Sequence, residues 1–239
     1  MPRNLNHIKR VVIKVGTNLI SNETGISQEK IDDIVKGIVE LRELGMSVLL
    51  VTSGAVGLGA KELKLHTKVQ SVVMRQTCAS IGQPILMSHY REAFSRYNTV
   101  CAQVLITKTE LNDRKTFLNL RNSVTSLLEH NVVPIFNEND TVSTDEVGTA
   151  VGDNDRLSAF VASKIDADLL ILLTDIDGLY TNNPKEHLDA TLIHEVEAIT
   201  DEIMQSAGNA GSIYSTGGMK TKLLAARIAS YAGCATVIA

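Results

Sequence analysis

Short, continuously apolar runs recur along this chain, and most of them end in a polar or glycine-rich tip. They are K-R-V-V-I-K-V-G, M-S-V-L-L-V-T-S-G, T-V-C-A-Q-V-L-I-T, V-V-P-I-F-N-E-N-D and D-L-L-I-L-L-T-D-I-D-G. Such runs are too short to cross a bilayer as helices. A strand that is apolar at successive positions, rather than at alternate ones, is covered on both faces. Helical patterns stand between the runs. One starts at Ser27, sets Ile31, Ile34, Val35, Ile38 and Leu41 on one face, and stops at Gly45. R-K-T-F-L-N-L-R-N-S-V-T-S-L-L-E-H and D-R-L-S-A-F-V-A-S-K-I read the same way. Strands joined by helical crossovers predict an α/β fold: a three-layer αβα sandwich with a mainly parallel central sheet. The polar stretch T-V-S-T-D-E-V-G-T-A-V-G predicts a small hairpin or flap, and the closing G-C-A-T-V-I-A a last strand.

A chain of 239 residues with 44% hydrophobic content can bury a full core, and a single domain over residues 1–239 is expected. Its formal net charge of -4 argues against a surface built for nucleic acid. Any basic site must therefore be local and suit a small anion. Cys78, Cys101 and Cys234 are far apart in sequence and form no C-x-x-C, which argues for small buried apolar residues in a reducing compartment. The opening M-P-R-N-L-N-H-I-K-R leads into too short an apolar run for a signal peptide or a span. A cytoplasmic protein is the expectation.

In open α/β sheets, ligands gather at the carboxyl ends of the strands. The tips there are G-T-N at 16–18, S-G-A-V-G-L-G at 53–59, N-E-N-D at 137–140 and T-D-I-D-G-L-Y at 174–180. One such tip is ordinary turn chemistry; four on one sheet edge suggest a site. A Walker A loop is absent, and G-A-V-G-L-G has its glycines in the wrong order for a dinucleotide fingerprint. No G-x-S-x-G and no histidine metal spacing occur. What remains is anion handling. Lys14 lies inside an apolar strand, where an ammonium is costly without a partner. S-T-G-G-M-K-T-K, from Ser215 to Lys222, places bare backbone, hydroxyls and two cations at the mouth of an alanine-rich helix, which suits a phosphate. Asp155 taken alone reads as a helix cap; beside two lysines it would orient them.

V-V-I-K-V-G-T-N, V-T-S-G-A-V-G-L-G, N-E-N-D-T-V, V-G-D-N-D-R-L-S-A, L-L-T-D-I-D-G-L-Y-T-N-N-P and T-G-G-M-K-T-K-L-L-A-A follow one another across nearly the whole chain. In that order they resemble the amino acid kinase family, and N-E-N-D, G-D-N-D and S-G-A-V-G-L-G resemble its members that act on free glutamate. The resemblance implies the αβα sandwich and ATP-dependent phosphorylation of the side-chain carboxylate of L-glutamate, the first step of proline biosynthesis. It assigns phosphate binding and catalysis to Lys14 and Lys222, with Asp155 holding both. ATP would be met by Lys14, Gly16, Thr17, Thr174, Asp175, Thr216, Gly217, Gly218, Met219, Lys220, Thr221 and Lys222, and glutamate by Ser53, Gly54, Asp140 and Asn154. Asp140 suits the substrate ammonium, and Asn154 would donate to a carboxylate. Mg²⁺ would accompany ATP, with no protein side chain assigned to it. The resemblance also implies a homo-oligomer, feedback inhibition by proline and hand-off of the product to a reductase. The PUA domain common in such enzymes is not expected. Two positions depart from the family pattern: Asn18 stands where serine is frequent, and Ser215 where glycine is common. Sister kinases acting on N-acetylglutamate or aspartate, and a non-catalytic amino-acid sensor, stay as alternatives.

Overall fold

The computed structural model describes residues 7–22, 25–65, 67, 69–142, 153–182, 184, 187, 189–208 and 218–239. The first half runs β1 (Arg10–Val15), α1 (Thr17–Ile20), a hairpin of β2 (Ser21–Asn22) and β3 (Gly25–Ile26), α2 (Gln28–Glu43), β4 (Ser47–Val51), α3 (Ala55–Glu62) and α4 (Val72–Ser95). The second half runs β5 (Cys101–Ile106), α5 (Lys108–Asn112), α6 (Arg114–Glu129), β6 (Val133–Glu138), α7 (Asp153–Lys164), β7 (Leu169–Leu173), β8 (Leu179–Tyr180), β9 (Leu192–Ile193), α8 (Asp201–Gly208), α9 (Met219–Tyr231) and β10 (Ala235–Ile238).

All the apolar runs become strands of one six-stranded sheet, in the order β10-β7-β1-β4-β6-β5. Every pairing in it is parallel. Alternation along β1 shows why the runs are apolar throughout. Val11, Ile13 and Val15 enter a core shared with α2 and α4, whereas Val12 enters a second core shared with α6, α7 and α9. Helices on both faces make the three layers. Helix α2 starts where expected, with the Ser27 hydroxyl accepting from the Lys30 amide, a cap worth about 1 kcal/mol. Gly45, at φ +86, follows its end. The segment read as a flap lies, from residue 143 to residue 152, outside the described residues.

The sequence reading missed α4, the longest helix here, at 24 residues. Pro84 sits within it, and its apolar residues are not confined to one stripe, so neither helical signal was clear. Its packing depends on glycine. A Cβ at Gly59 of α3 would lie 1.8 Å from the Cys78 carbonyl oxygen of α4, and one at Gly82 of α4 would lie 1.8 Å from the Ala55 carbonyl oxygen of α3. The last glycine of S-G-A-V-G-L-G therefore serves a close helix crossing. The tip after β4 is confined to residues 52–54, because Ala55–Glu62 is helical.

Candidate active site

Parallel register brings the tips together. Lys14 pairs with Val51 of β4 and Leu172 of β7, so the chain leaves β1, β4 and β7 at one level. Lys14 follows the alternation of Val12 and faces α7 and α9. On α7, Asp155 is almost fully buried. On α9, Lys222 heads a buried stripe of Leu223, Ala225, Ala226 and Ala229. The alanines of α9 meet Ala159 and Ala162 of α7 in one core, and these small side chains let the two helices close up.

The result is a buried cluster of three charges. Lys14 Nζ lies 2.6 Å from Asp155 Oδ1, and Lys222 Nζ lies 3.7 Å from Asp155 Oδ2. Thr221 Oγ1 donates to the same Oδ2 at 2.7 Å. The side chains of Lys14, Lys222 and Asp155 are 9%, 7% and 0% exposed. One carboxylate thus faces two ammonium groups in a place where charge is expensive. Burial pushes the Lys222 ammonium below the usual lysine range; Asp155 and Asp175 oppose that, while Lys14 adds to it. Such a cluster is suited to a polyanion.

Around it stand the other residues expected at the nucleotide. Gly16 begins α1 and Gly218 begins α9, neither helix having a side-chain cap. Thr17 Oγ1 donates to Ser53 Oγ at 3.1 Å. Thr174 follows β7, and its hydroxyl donates to Asp175 Oδ1 at 3.2 Å. Met219 is half-buried in the first turn of α9, whereas Lys220 is exposed there. Thr216 and Gly217 lie outside the described residues.

The second half of the site contains dipoles. Gly54 adopts φ +112 and opens α3 with no side chain capping its first amides. Ser53 Oγ donates to the Val15 carbonyl at 3.3 Å. Asn154 Nδ2 donates to the Thr52 carbonyl at 2.7 Å and to Asn137 Oδ1 at 3.0 Å. Asn137 Oδ1 also accepts from the Glu138 amide, so backbone groups set the direction of both amides. Asn154, expected to donate to a carboxylate, thus has both N–H groups engaged within the protein, and its Oδ1 is an acceptor. The chain of amides continues through Asn137 Nδ2 to Gln83 Oε1 and from Gln83 Nε2 to Gln103 Oε1, both at 2.9 Å. Asp140 is buried and already engaged: Arg75 Nε and Nη2 donate to its Oδ1 at 3.0 and 2.8 Å.

Gln83, Asn137 and Arg75 were not foreseen as site residues. Gln83 and Arg75 belong to the unforeseen helix α4. The available signal was polar side chains inside apolar runs, the same signal that singled out Lys14. Among the described residues, no cluster of three histidine, cysteine or acidic side chains could hold a metal, and no helix is long and apolar enough to cross a membrane.

Comparison with known proteins bears on the family and the fold. Residues 9–239 match the Amino acid kinase family. A glutamate 5-kinase of Methanosarcina barkeri is 48% identical over 98% of this chain, which spans 63% of that relative's length. The glutamate 5-kinase of Methanococcoides burtonii is 47% identical over 97% of this chain and 62% of its own length. A glutamate 5-kinase of Clostridium acetobutylicum is 44% identical over 98% of this chain and 88% of its own length. Among solved structures, carbamate kinase from Giardia lamblia bound to AMP-PNP superposes with a TM-score of 0.67, covering 97% of this chain and 93% of its own, at 16% identity. UMP kinase from Ureaplasma parvum gives a TM-score of 0.63 over 97% of this chain and 89% of its own, also at 16% identity. At such identities the structural likeness speaks for the fold, while the family match covers nearly every residue: the chain belongs to the amino acid kinase family.

Proposed function

We propose that this protein transfers the γ-phosphoryl group of ATP to the side-chain carboxylate of L-glutamate. The observation that carries the proposal is the buried convergence of the Lys14 and Lys222 ammonium groups on Asp155. The names of the relatives, glutamate 5-kinases at 44 to 48% identity, supply the acceptor. A glutamate side-chain carboxyl ordinarily titrates near pH ~4.3, so it is ionised at neutral pH and needs no general base. Its oxygen attacks the γ-phosphorus, the bond from that phosphorus to the β,γ-bridging oxygen breaks, and ADP leaves with the electron pair. γ-Glutamyl phosphate is the product.

The difficulty is bringing an anion to a polyanion, and it is met by placed cations and backbone N–H groups. Lys14 and Lys222 hold the phosphates and stabilise the charge on the group in transfer. Asp155 fixes both ammonium groups and is engaged on both oxygens, so it does not suit a metal. Mg²⁺ keeps much of its water and binds substrate phosphates rather than a dedicated protein cage; here it would ride on the triphosphate and offset its charge. Gly16, Thr17, Thr174, Asp175 and the 216–222 loop surround the nucleotide. The uncapped start of α3 at Gly54, with Ser53, receives a glutamate carboxylate, and Asp140 and Asn154 Oδ1 accept from its ammonium. A single domain in the cytoplasm, a homo-oligomer, proline as inhibitor and a reductase as next user belong to the same proposal. The lability of an acyl phosphate supports the last of these.

The test is incubation of the purified protein with Mg-ATP, hydroxylamine and, separately, L-glutamate, N-acetylglutamate or L-aspartate. Hydroxylamine converts the acyl phosphate into a coloured hydroxamate. Colour with free glutamate is the expected result; colour only with another acid overturns the acceptor, and ATP binding without product with any of them favours the sensor.

A further inference from the structure

Helix α4 is tied to the polar tip of β6 at three levels. Gln83 pairs with Asn137 at 2.9 Å, the Ser80 and Thr141 hydroxyls meet at 3.3 Å, and Arg75 pairs with Asp140. The helix is held rigidly by the glycine crossing with α3, whose start is the carboxylate-binding end of the proposed acceptor site. At its own start, the Ser71 hydroxyl accepts from the Met74 amide. Arg75 is therefore displayed from the first turn of a capped, packed helix, with 27% of its side chain exposed beside a carboxylate that is 9% exposed.

Resting on the glutamate-kinase reading, we infer that Arg75 determines specificity at the acceptor site by binding the substrate's α-carboxylate while Asp140 binds its ammonium. Free glutamate carries one cation and two anions. Asp140 alone would attract the ammonium and repel the α-carboxylate beside it. The Arg75–Asp140 pair presents the opposite pattern: a guanidinium next to a carboxylate meets a carboxylate next to an ammonium. The four charges then alternate around a ring, each between two opposite neighbours. A planar guanidinium fork can serve two carboxylates at once. Two donors to one oxygen and the packing of α4 hold the pair in place, so little ordering is left for binding.

The experiment uses the full chain, wild type and Arg75→Met, at saturating Mg-ATP, with ADP release as the assay. It reads the KM for L-glutamate and the Ki of two competitors. 4-Aminobutyrate keeps the ammonium and lacks the α-carboxylate; glutarate keeps both carboxylates and lacks the ammonium. In Arg75→Met, the KM for glutamate and the Ki of glutarate should each rise about 30-fold or more, while the Ki of 4-aminobutyrate stays within about threefold and the KM for ATP is unchanged. Arg75→Lys keeps the charge without the fork and should fall between. An equal rise for all three ligands would make Arg75 a merely structural residue and overturn the inference. A rise for glutamate and 4-aminobutyrate with glutarate unmoved would show that Arg75 acts only through Asp140, and would overturn it too. A wild type that does not turn over glutamate overturns the functional reading itself, whereas an active wild type with the wrong pattern overturns this inference alone.

Discussion

The two halves of the candidate site are built on opposite principles. At the phosphate end, Lys14, Asp155 and Lys222 come from β1, α7 and α9 and form a buried trio of two cations and one anion. At the acceptor end, Asn154, Asn137, Gln83 and Gln103 form a chain of neutral amides, and Asp140 is matched by Arg75. The first group converges two cations on one carboxylate; the second is an array of directed dipoles and one matched ion pair. Converging cations suit a polyanion, while directed dipoles suit a choice between acceptors.

The contrast is broken most severely by removing a cation. Lys222→Ala should lower kcat by about a thousandfold or more, and Lys14→Ala likewise, with the unfolding temperature nearly unchanged because the remaining pair is neutral. Near-native turnover in Lys222→Ala would sink the mechanism. Asp155→Asn should reduce kcat about a hundredfold, with smaller effects on either KM. It leaves two buried ammonium groups without a full counter-charge, so it should also destabilise the free protein, by up to about 3–5 kcal/mol. Added ATP should restore much of that stability in a thermal melt; a variant as stable as wild type without nucleotide would contradict the reading of Asp155 as the shared counter-charge.

At the acceptor end the effect is smaller and of another kind. Asp140→Ala should raise the glutamate KM by about tenfold to a hundredfold with ATP binding little changed. A shift in the ATP constant instead would remove Asp140 from the acceptor site. The mildest test is a pH series. Burial keeps the Lys222 ammonium below the ordinary lysine range. A bound triphosphate favours the charged form and raises its pKa again. Between the two values, ATP binding must take up a proton, and affinity must fall as the pH rises through that window. Calorimetry in two buffers of different ionisation enthalpy measures the uptake; an uptake of zero across the alkaline range would detach Lys222 from the phosphates.

The fold was largely legible because its strands are covered on both faces, and a continuous apolar run has few other uses in a chain this polar between runs. Lys14 was legible for the same reason: an ammonium inside such a run demands an explanation. Helix α4 was not legible, since Pro84 and apolar residues outside its buried stripe, such as Val73 and Met74, blurred its period. Arg75 and Gln83 were hidden with it, as was the role of Gly59, which becomes visible only when Cys78 of the neighbouring helix lies against it.

By itself, then, the sequence determined the alternation of elements, the parallel sheet and the chemistry gathered at its tips, because periodicity and apolar runs are local properties. It also pointed to one costly lysine. Only the tertiary structure decided that Asp155 meets Lys14 and Thr221 at once, that the Asn154 amide donates to Thr52 and Asn137, and that Asp140 is already held by Arg75. Those are properties of distance and direction between residues up to 208 positions apart, from Lys14 to Lys222. They are set by sheet register and by how closely alanine and glycine let helices approach, not by any residue's neighbours in the chain.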